Sequence, residues 1–96
     1  MDHIASWNVR GLNWPHKQEE VKIFLHSNNI GLVCLLETKV KLRNVEKITA
    51  NTFPGWYWCY NFDHDPKGRI WLVWNPKSYI VQPLQLTAQI IHARIT

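Results

Sequence analysis

The amino-acid sequence predicts a single α/β domain that spans residues 1–96. Residues 3–37 have the pattern strand, helix, strand, and a crossover helix of this length makes the two strands parallel. The second of these strands, Gly31–Glu37, is almost continuously apolar, which is typical of a sheet covered on both sides. Beyond Pro54-Gly55 the pattern changes to short aromatic strands separated by turn residues. Hydrophobic residues make up 46% of the chain, which excludes a disordered polypeptide.

The strand–helix–strand unit has clear boundaries in the sequence. Gly11 ends the first strand, because glycine interrupts an extended run. Pro15 begins the helix, since proline suits the first helical position, and Asn13 or Trp14 must then serve as its cap. The apolar residues at helical spacing on one face are Val21, Phe24 and Leu25. The predicted bounds are His3–Val9 for the first strand, Pro15–Ser27 for the helix and Gly31–Glu37 for the second strand.

The remaining elements are shorter. A second helix is predicted at Leu42–Ala50, with Leu42, Val45 and Ile48 on its apolar face. Two aromatic strands should form a hairpin around a polar turn at Asp63–Gly68. The predicted strands after the second helix are Trp56–Phe62, Arg69–Trp74, Tyr79–Val81 and Thr87–Ile95. The last strand reaches the final residue without a closing element, so we expect the chain to be part of a larger domain.

Composition restricts the cellular setting and the partners. Cys34 and Cys59 lie in apolar runs without metal-ligand spacing, which predicts buried, reduced thiols. No apolar stretch approaches the roughly 20 residues of a membrane helix, and the acidic N-terminal start does not resemble a secretory signal. We therefore expect an intracellular protein without a membrane partner or a small-molecule cofactor. The net charge of +4 is compatible with a nucleic-acid partner.

Asn8 and Glu37 are the first candidates for chemistry. Each lies at the carboxyl end of a predicted parallel strand, where ligands of open α/β sheets bind. Alternation would place Glu37 on the same face as the apolar residues before it, where a lone carboxylate needs a cationic partner. One interpretation is an ion pair with Arg10, Lys39 or Lys41. The other is a ligand for a hard divalent metal, with Asn8 as a neutral oxygen ligand beside it. Spacing alone leaves both open.

Four segments resemble a known family. Residues 6–12 (SWNVRGL) and 35–39 (LLETK) are similar to the first two motifs of the endonuclease/exonuclease/phosphatase superfamily, at its usual separation. Residues 53–56 (FPGW) and 68–74 (GRIWLVW) resemble, more narrowly, the nuclease domains encoded by plant LINE-type retrotransposons. The resemblance covers nearly the whole chain.

The resemblance implies a four-layer α/β/β/α sandwich of the DNase I type, and hydrolysis of phosphodiester bonds in DNA with Mg²⁺ or Mn²⁺. Glu37 resembles the metal-binding glutamate, and Asn8 resembles the asparagine that supports metal and phosphate; both would be catalytic residues. Arg10 stands where some members have an acidic residue. Residues 1–96 would be the first two-fifths of such a domain, which would act in the nucleus. The family's Asp-x-Asn and Ser-Asp-His motifs are absent, so we expect the chain to be inactive.

Several basic residues follow the predicted strands. Arg10, Lys39 and Lys41 are weak candidates for contacts with DNA phosphates, and Arg43 and Lys47 follow them. A solvated loop and helix face would explain them equally well. A different class of function also remains open, namely a small basic module that binds nucleic acid or protein without catalysis.

Two histidine-containing segments are less informative. Asp63-His64-Asp65 lies in the predicted turn, where acidic residues are ordinary, and a metal site there is the minor interpretation. His92 lies in a predicted strand and is expected on its surface or bonded within it.

Six tryptophans are many for 96 residues. Their spacing favours core filling over the stacking of bases, but a domain near this size hides only about 60–70% of its unfolded surface. We therefore expect an uncovered sheet face and self-association through it. The residues expected to contribute to that face are members of the set Trp7, Trp56, Trp58, Trp71 and Trp74 and the strand Leu32–Leu36.

Overall fold

The computed structural model describes residues 3–61, 70–87 and 90–96. These residues form a mixed α/β structure with two α-helices and six strands in two sheets. The helices are α1 (Pro15–Ser27) and α2 (Val45–Thr52); the strands are β1 (His3–Asn8), β2 (Ile30–Leu36), β3 (Tyr57–Tyr60), β4 (Ile70–Trp74), β5 (Val81–Leu86) and β6 (Ile91–Ile95). The predicted turn at Asp63–Gly68 lies outside the described residues. No helix among the described residues is long and apolar enough to cross a membrane.

The larger sheet has the strand order β1-β2-β4-β3. β1 and β2 are parallel, as the crossover helix between them predicts. β4 pairs with both β2 and β3 in antiparallel fashion, which confirms that β3 and β4 are hairpin partners. The sheet is therefore mixed, and β4 occupies the position beside β2.

α1 agrees with its predicted bounds and its predicted apolar face. Val21 and Leu25 are buried, and Phe24 is half-buried with its ring 5.0 Å from that of Trp7 in an edge-to-face contact. Gln18 is also buried, because its side-chain amide donates to the carbonyl of Leu12 at 3.0 Å. α1 thus covers one face of the larger sheet.

The prediction for the second helix was wrong at its start. Residues Leu42–Asn44 form a single 3₁₀ turn, and Leu42 is 61% exposed rather than part of the apolar face. The buried face runs toward the other end of α2 instead, through Val45, Ile48, Thr49 and Thr52. Thr49 can be buried because its hydroxyl donates to the carbonyl of Val45 at 2.8 Å, which satisfies the polar group inside the helix.

The second sheet is the antiparallel pair β5-β6. It differs from the predicted strands, which ended the first segment at Val81 and began the second at Thr87. Pro83 lies inside β5 because the pairing is irregular between Pro83 and Gln85, a position where the missing N–H is tolerated. Thr87 belongs to the turn: its N–H donates to the carbonyl of Ile90 at 2.8 Å, and its hydroxyl accepts from the N–H of Ile90 at 3.0 Å.

The two sheets face each other, and polar and apolar contacts connect them. Residues Tyr79, Val81, Ile91 and Ala93 pack on the larger sheet at Leu32, Leu72 and Trp74. Asn61, fully buried after β3, donates to the carbonyl of Thr87 at 3.0 Å and accepts from the N–H of Ile70 at 3.1 Å. β2 and β4 are therefore covered on both faces, by the helices on one side and by β5-β6 on the other.

This coverage corrects the expected exposure of the tryptophans. Trp71 is fully buried and Trp74 is 7% exposed, while Leu32 in β2 is 2% exposed. Trp58 is 37% exposed because it lies on the edge strand β3. The other large apolar side chains with substantial exposure lie on edge strands, in loops and turns, or on α1: Ile4, Trp14, Ile23, Leu42, Tyr57, Ile80, Leu84, Ile90 and Ile95. Self-association through such surfaces stays a prediction.

The two thiols are free and half-buried rather than fully buried. Cys34 and Cys59 both lie opposite Leu72, on either side of β4, so one strand separates them. Two strand spacings are about 10 Å, which is too far for a disulfide bond without movement of the backbone. Burial raises the pKa of the Cys34 thiol; burial, and to a smaller degree the charge of Cys34, raise the pKa of Cys59 to about 11.

We expect Cys59 to react slowly with alkylating reagents in the folded chain. A shift from 9.0 to about 11 lowers its thiolate fraction at pH 8 about 100-fold relative to the unfolded chain. Between these values the unfolded thiol loses its proton first, so the free energy of unfolding should fall as the pH rises from 9 to 11. Iodoacetamide rates at Cys59, measured against pH in the wild-type chain with the alkylated residue identified by mass spectrometry, check this. A midpoint near 9 in the folded protein would contradict it.

Candidate active site

The carboxyl ends of β1 and β2 bring Asn8 and Glu37 to the same edge of the sheet. Asn8 lies opposite Leu36, and Glu37 is the next residue. The parallel pairing continues beyond the strands through three backbone hydrogen bonds, from Val9 to Leu36 at 3.1 Å, from Gly11 to Glu37 at 2.9 Å and from Leu12 to Thr38 at 2.7 Å. These bonds hold the loops after the two strands side by side.

Left-handed backbone conformations cluster in these two loops. Arg10, Glu37 and Lys39 have φ angles of 53°, 54° and 57°, and Gly11 has 116°. Non-glycine residues seldom adopt positive φ, because the Cβ atom is then crowded by the backbone. Such conformations persist only where surrounding bonds impose them, and they concentrate at functional sites. The paired loops supply those bonds here.

The left-handed turn at Glu37 overturns the predicted face of its side chain. Strand alternation would have grouped Glu37 with Val33 and Leu35, which are fully buried. Glu37 is instead exposed, as is Asn8. The positive φ ends the alternation at Leu36, so the carboxylate reaches solvent without a desolvation penalty.

Glu37 has basic neighbours in the chain, but it forms no ion pair with a described residue. Arg10, Lys39 and Lys41 are all exposed. Within the described residues, the ion pair with atoms closer than 4.0 Å is Lys17–Glu20, at 3.4 Å. The expected alternative, in which Glu37 pairs with one of its basic neighbours, is therefore not observed. Among the residues that the structure describes, no cation is paired with its carboxylate.

The side-chain oxygens of Glu37 and Asn8 are the type of ligand that a hard divalent cation prefers, but they are too few to fill its coordination sphere. A carboxylate and a side-chain amide offer oxygen ligands, which Mg²⁺ and Mn²⁺ prefer. No group of three or more His, Cys, Asp or Glu residues in the described part of the chain could hold a metal. With about six positions to fill, Glu37 and Asn8 would leave most of them to water and substrate. The segment Asp63-His64-Asp65 lies outside the described residues.

The other candidate residues lie apart from Asn8 and Glu37 in the chain. Arg43 belongs to the 3₁₀ turn before α2, and Lys47 belongs to α2; both are exposed. His92 is exposed on β6, where it pairs with Gln85. These positions agree with a solvated basic surface and with a histidine on the surface of a strand.

Sequence analysis missed a groove of about 480 Å³ between α1 and α2. The groove is rich in carboxamides, and its lining residues are Asn13, Pro15, Gln18, Asn44, Lys47, Ile48 and Asn51. The two helices are joined there by a hydrogen bond from the Asn51 amide to the Gln18 oxygen, at 3.2 Å. The signal in the sequence was the recurrence of asparagine at the starts of both helices, which reads equally well as ordinary capping.

No protein-family model matches the sequence, and a search of curated proteins gives no significant match. The residues themselves, their chemistry and their arrangement at the sheet edge are therefore the basis for a functional assignment.

Proposed function

We propose that the chain is the N-terminal part of a DNase I-like domain that hydrolyses phosphodiester bonds in DNA with Mg²⁺ or Mn²⁺. The nuclease domains of LINE-type retroelements are the model for it, on the resemblance of residues 6–12, 35–39, 53–56 and 68–74. One observation carries the proposal: Asn8 and Glu37 lie exposed at the ends of paired parallel strands, among basic residues and without a counter-ion among the described residues.

The layer order supports the finer fold assignment. Helices cover one face of the larger sheet and the β5-β6 pair covers the other. This is the order of the first three layers of an α/β/β/α sandwich. The fourth layer and the rest of the second sheet would belong to the complete domain.

Each residue of the site would have a distinct task. Glu37 and Asn8 would hold the divalent ion with their side-chain oxygens. When bound, the ion would neutralise a phosphate and activate a water molecule. Arg10, Lys39 and Lys41 would contact neighbouring phosphates and so position the DNA backbone without reading its sequence.

The 96 residues contain neither an Asp-x-Asn nor a Ser-Asp-His motif. In the complete family domain those motifs orient the attacking water and stabilise the charge that develops on the phosphate oxygens. We therefore propose that the isolated chain binds metal and DNA weakly and does not nick plasmid DNA above background. In a functional element the complete domain would act on nuclear DNA.

Paramagnetic Mn²⁺ provides the test. We expect substoichiometric Mn²⁺ to broaden the amide NMR signals of residues 8–11 and 37–39 first, with an affinity no tighter than millimolar because protein ligands are few. Glu37→Gln should abolish this selective broadening, since it removes the charge and keeps the size. Glu46→Gln is the matched control, because Glu46 is also an exposed glutamate but lies in α2.

The outcomes separate the proposed function from a binding module. Without metal, Glu37→Gln should bind a short DNA duplex more tightly than wild type, because one repulsive charge is gone. With Mn²⁺, the wild type should recover affinity and the variant should not. If Mn²⁺ broadens the same signals in wild type and Glu37→Gln, Glu37 is not the ligand. If the affinity for DNA is the same with and without Mn²⁺, the result would favour a small basic module without catalysis.

A further inference from the structure

Trp14 presents a large aromatic side chain to solvent at the start of α1. It occupies the N-cap of α1, with its indole 57% exposed and no hydrogen bond from its side chain to the helix. Serine, threonine, aspartate and asparagine are the residues that stabilise this position, because their oxygens accept from the first free N–H groups of the helix. A large aromatic ring in solvent at an uncapped helix start is costly, which points to a role outside the fold.

The ring is nevertheless held in place. A Cβ atom at Gly11 would lie 3.2 Å from Cδ1 and 3.5 Å from Nε1 of Trp14, so the indole rests against the bare backbone of Gly11. Gly11 has a φ of 116° and donates its N–H to the carbonyl of Glu37 at 2.9 Å. Trp14 is thus supported by the same pair of loops that carries the candidate active site.

The surroundings of Trp14 combine positive charge with amide groups. Asn13 and Pro15, its two neighbours in the chain, line the groove between α1 and α2. Asn44 and Lys47 line the same groove, so the groove that the two neighbours of Trp14 border contains carboxamides and an ammonium group. Carboxamides donate to and accept from base edges, and a lysine contacts phosphate.

We propose that Trp14 stacks an unpaired nucleobase of a nucleic-acid strand whose phosphates lie along Arg10, Lys39 and Lys41. The inference rests on the proposed function and narrows its substrate class to single-stranded or locally unpaired strands. A duplex keeps its bases stacked on one another, so only an unpaired base can lie on the indole. The positive charges of Arg10, Lys39 and Lys41 favour a polyanion over an uncharged ligand as the molecule that stacks on Trp14.

The test uses Trp14→Ser, which removes the ring and adds a capping residue. We measure binding of a fluorescent single-stranded DNA 12-mer, of the same sequence as a duplex, and of a single-stranded RNA, all in EDTA. We expect single-strand affinity to fall about 5- to 150-fold, the effect of one lost base stack, with duplex affinity nearly unchanged. The melting temperature should stay the same or rise, because serine caps the helix.

Ile23→Ser is the matched control. Ile23 is 58% exposed on α1, the helix that begins after Trp14. The variant therefore removes an equally exposed apolar side chain and leaves Trp14 unchanged. It should leave affinity for both DNA forms unchanged. Trp14→Phe should retain most of the single-strand affinity, since a phenyl ring still stacks. An equal loss with DNA and RNA would show that the unpaired base, not the sugar, is recognised.

Unchanged single-strand affinity in Trp14→Ser would overturn the stacking proposal. Equal losses on single strand and duplex would overturn it as well, because they indicate a general contact and not a base stack. In either case the nuclease assignment survives if Arg10→Ala and Lys39→Ala still weaken binding. If wild type binds neither form of DNA, the proposed function fails together with the stacking.

Discussion

Trp71→Ala is expected to lose about 3–5 kcal/mol of stability, which is comparable to the whole stability of a marginal domain. Trp71 is fully buried in β4, and it is the largest of the fully buried side chains among the described residues. It packs in the cluster beneath the helices, with its ring centre 6.5 Å from that of Tyr60. Truncation to alanine leaves a cavity that the surrounding close-packed side chains cannot fill.

Urea denaturation followed by far-UV circular dichroism measures the loss. Trp58→Ala is the matched control: Trp58 belongs to the neighbouring strand β3 and is 37% exposed, so its truncation should cost much less. Equal losses in the two variants would show that burial in the larger sheet does not distinguish them, and that the assignment of Trp71 to the central core is wrong.

Ile91→Asp is expected to detach the second sheet from the first, at a cost of about 3 kcal/mol. Ile91 is half-buried and belongs to the cluster formed with Leu32, Leu72 and Trp74. A carboxylate there loses apolar contact and is partly removed from water against a mostly apolar surface, which is costly for a charged group. Release of β5-β6 should expose Trp74 and Cys34. The variant should therefore bind a hydrophobic dye, and Cys34 should be alkylated faster.

Ile90→Asp is the control, one residue away. The Ile90 side chain is 53% exposed, and its turn is held by backbone groups bonded to Thr87, so the charge should be tolerated. Dye fluorescence and thiol alkylation compare the two variants directly. Strong dye binding by Ile90→Asp, or none by Ile91→Asp, would contradict the view that β6 covers the larger sheet through alternate residues.

Local patterns in the sequence were sufficient for the strand–helix–strand unit. Pro15 and the stripe of Val21, Phe24 and Leu25 act within one helix, and the apolar run of β2 indicates burial on both faces. The positions of Asn8 and Glu37 at strand ends follow from the same local patterns. Such features depend on residues a few positions apart, so a single sequence carries them.

Local patterns misled where a residue's environment comes from distant segments. Leu42 has the spacing of a helix face but begins a 3₁₀ turn in which its side chain is 61% exposed. Thr87 alternates with its neighbours as a strand residue would, yet it closes the β5-β6 turn through bonds to Ile90. Trp58 and Trp71 look alike in the sequence and differ in burial because one lies on an edge strand.

By itself, the sequence determined that an α/β unit would carry Asn8 and Glu37 to one edge of a sheet, because strand period and crossover length are local properties. The tertiary structure alone decided that β4 inserts beside β2, because strand partners are chosen by contacts far apart in the chain. It also decided that Glu37 is exposed. That exposure depends on backbone hydrogen bonds between two loops separated by a whole helix, and no local pattern contains that information.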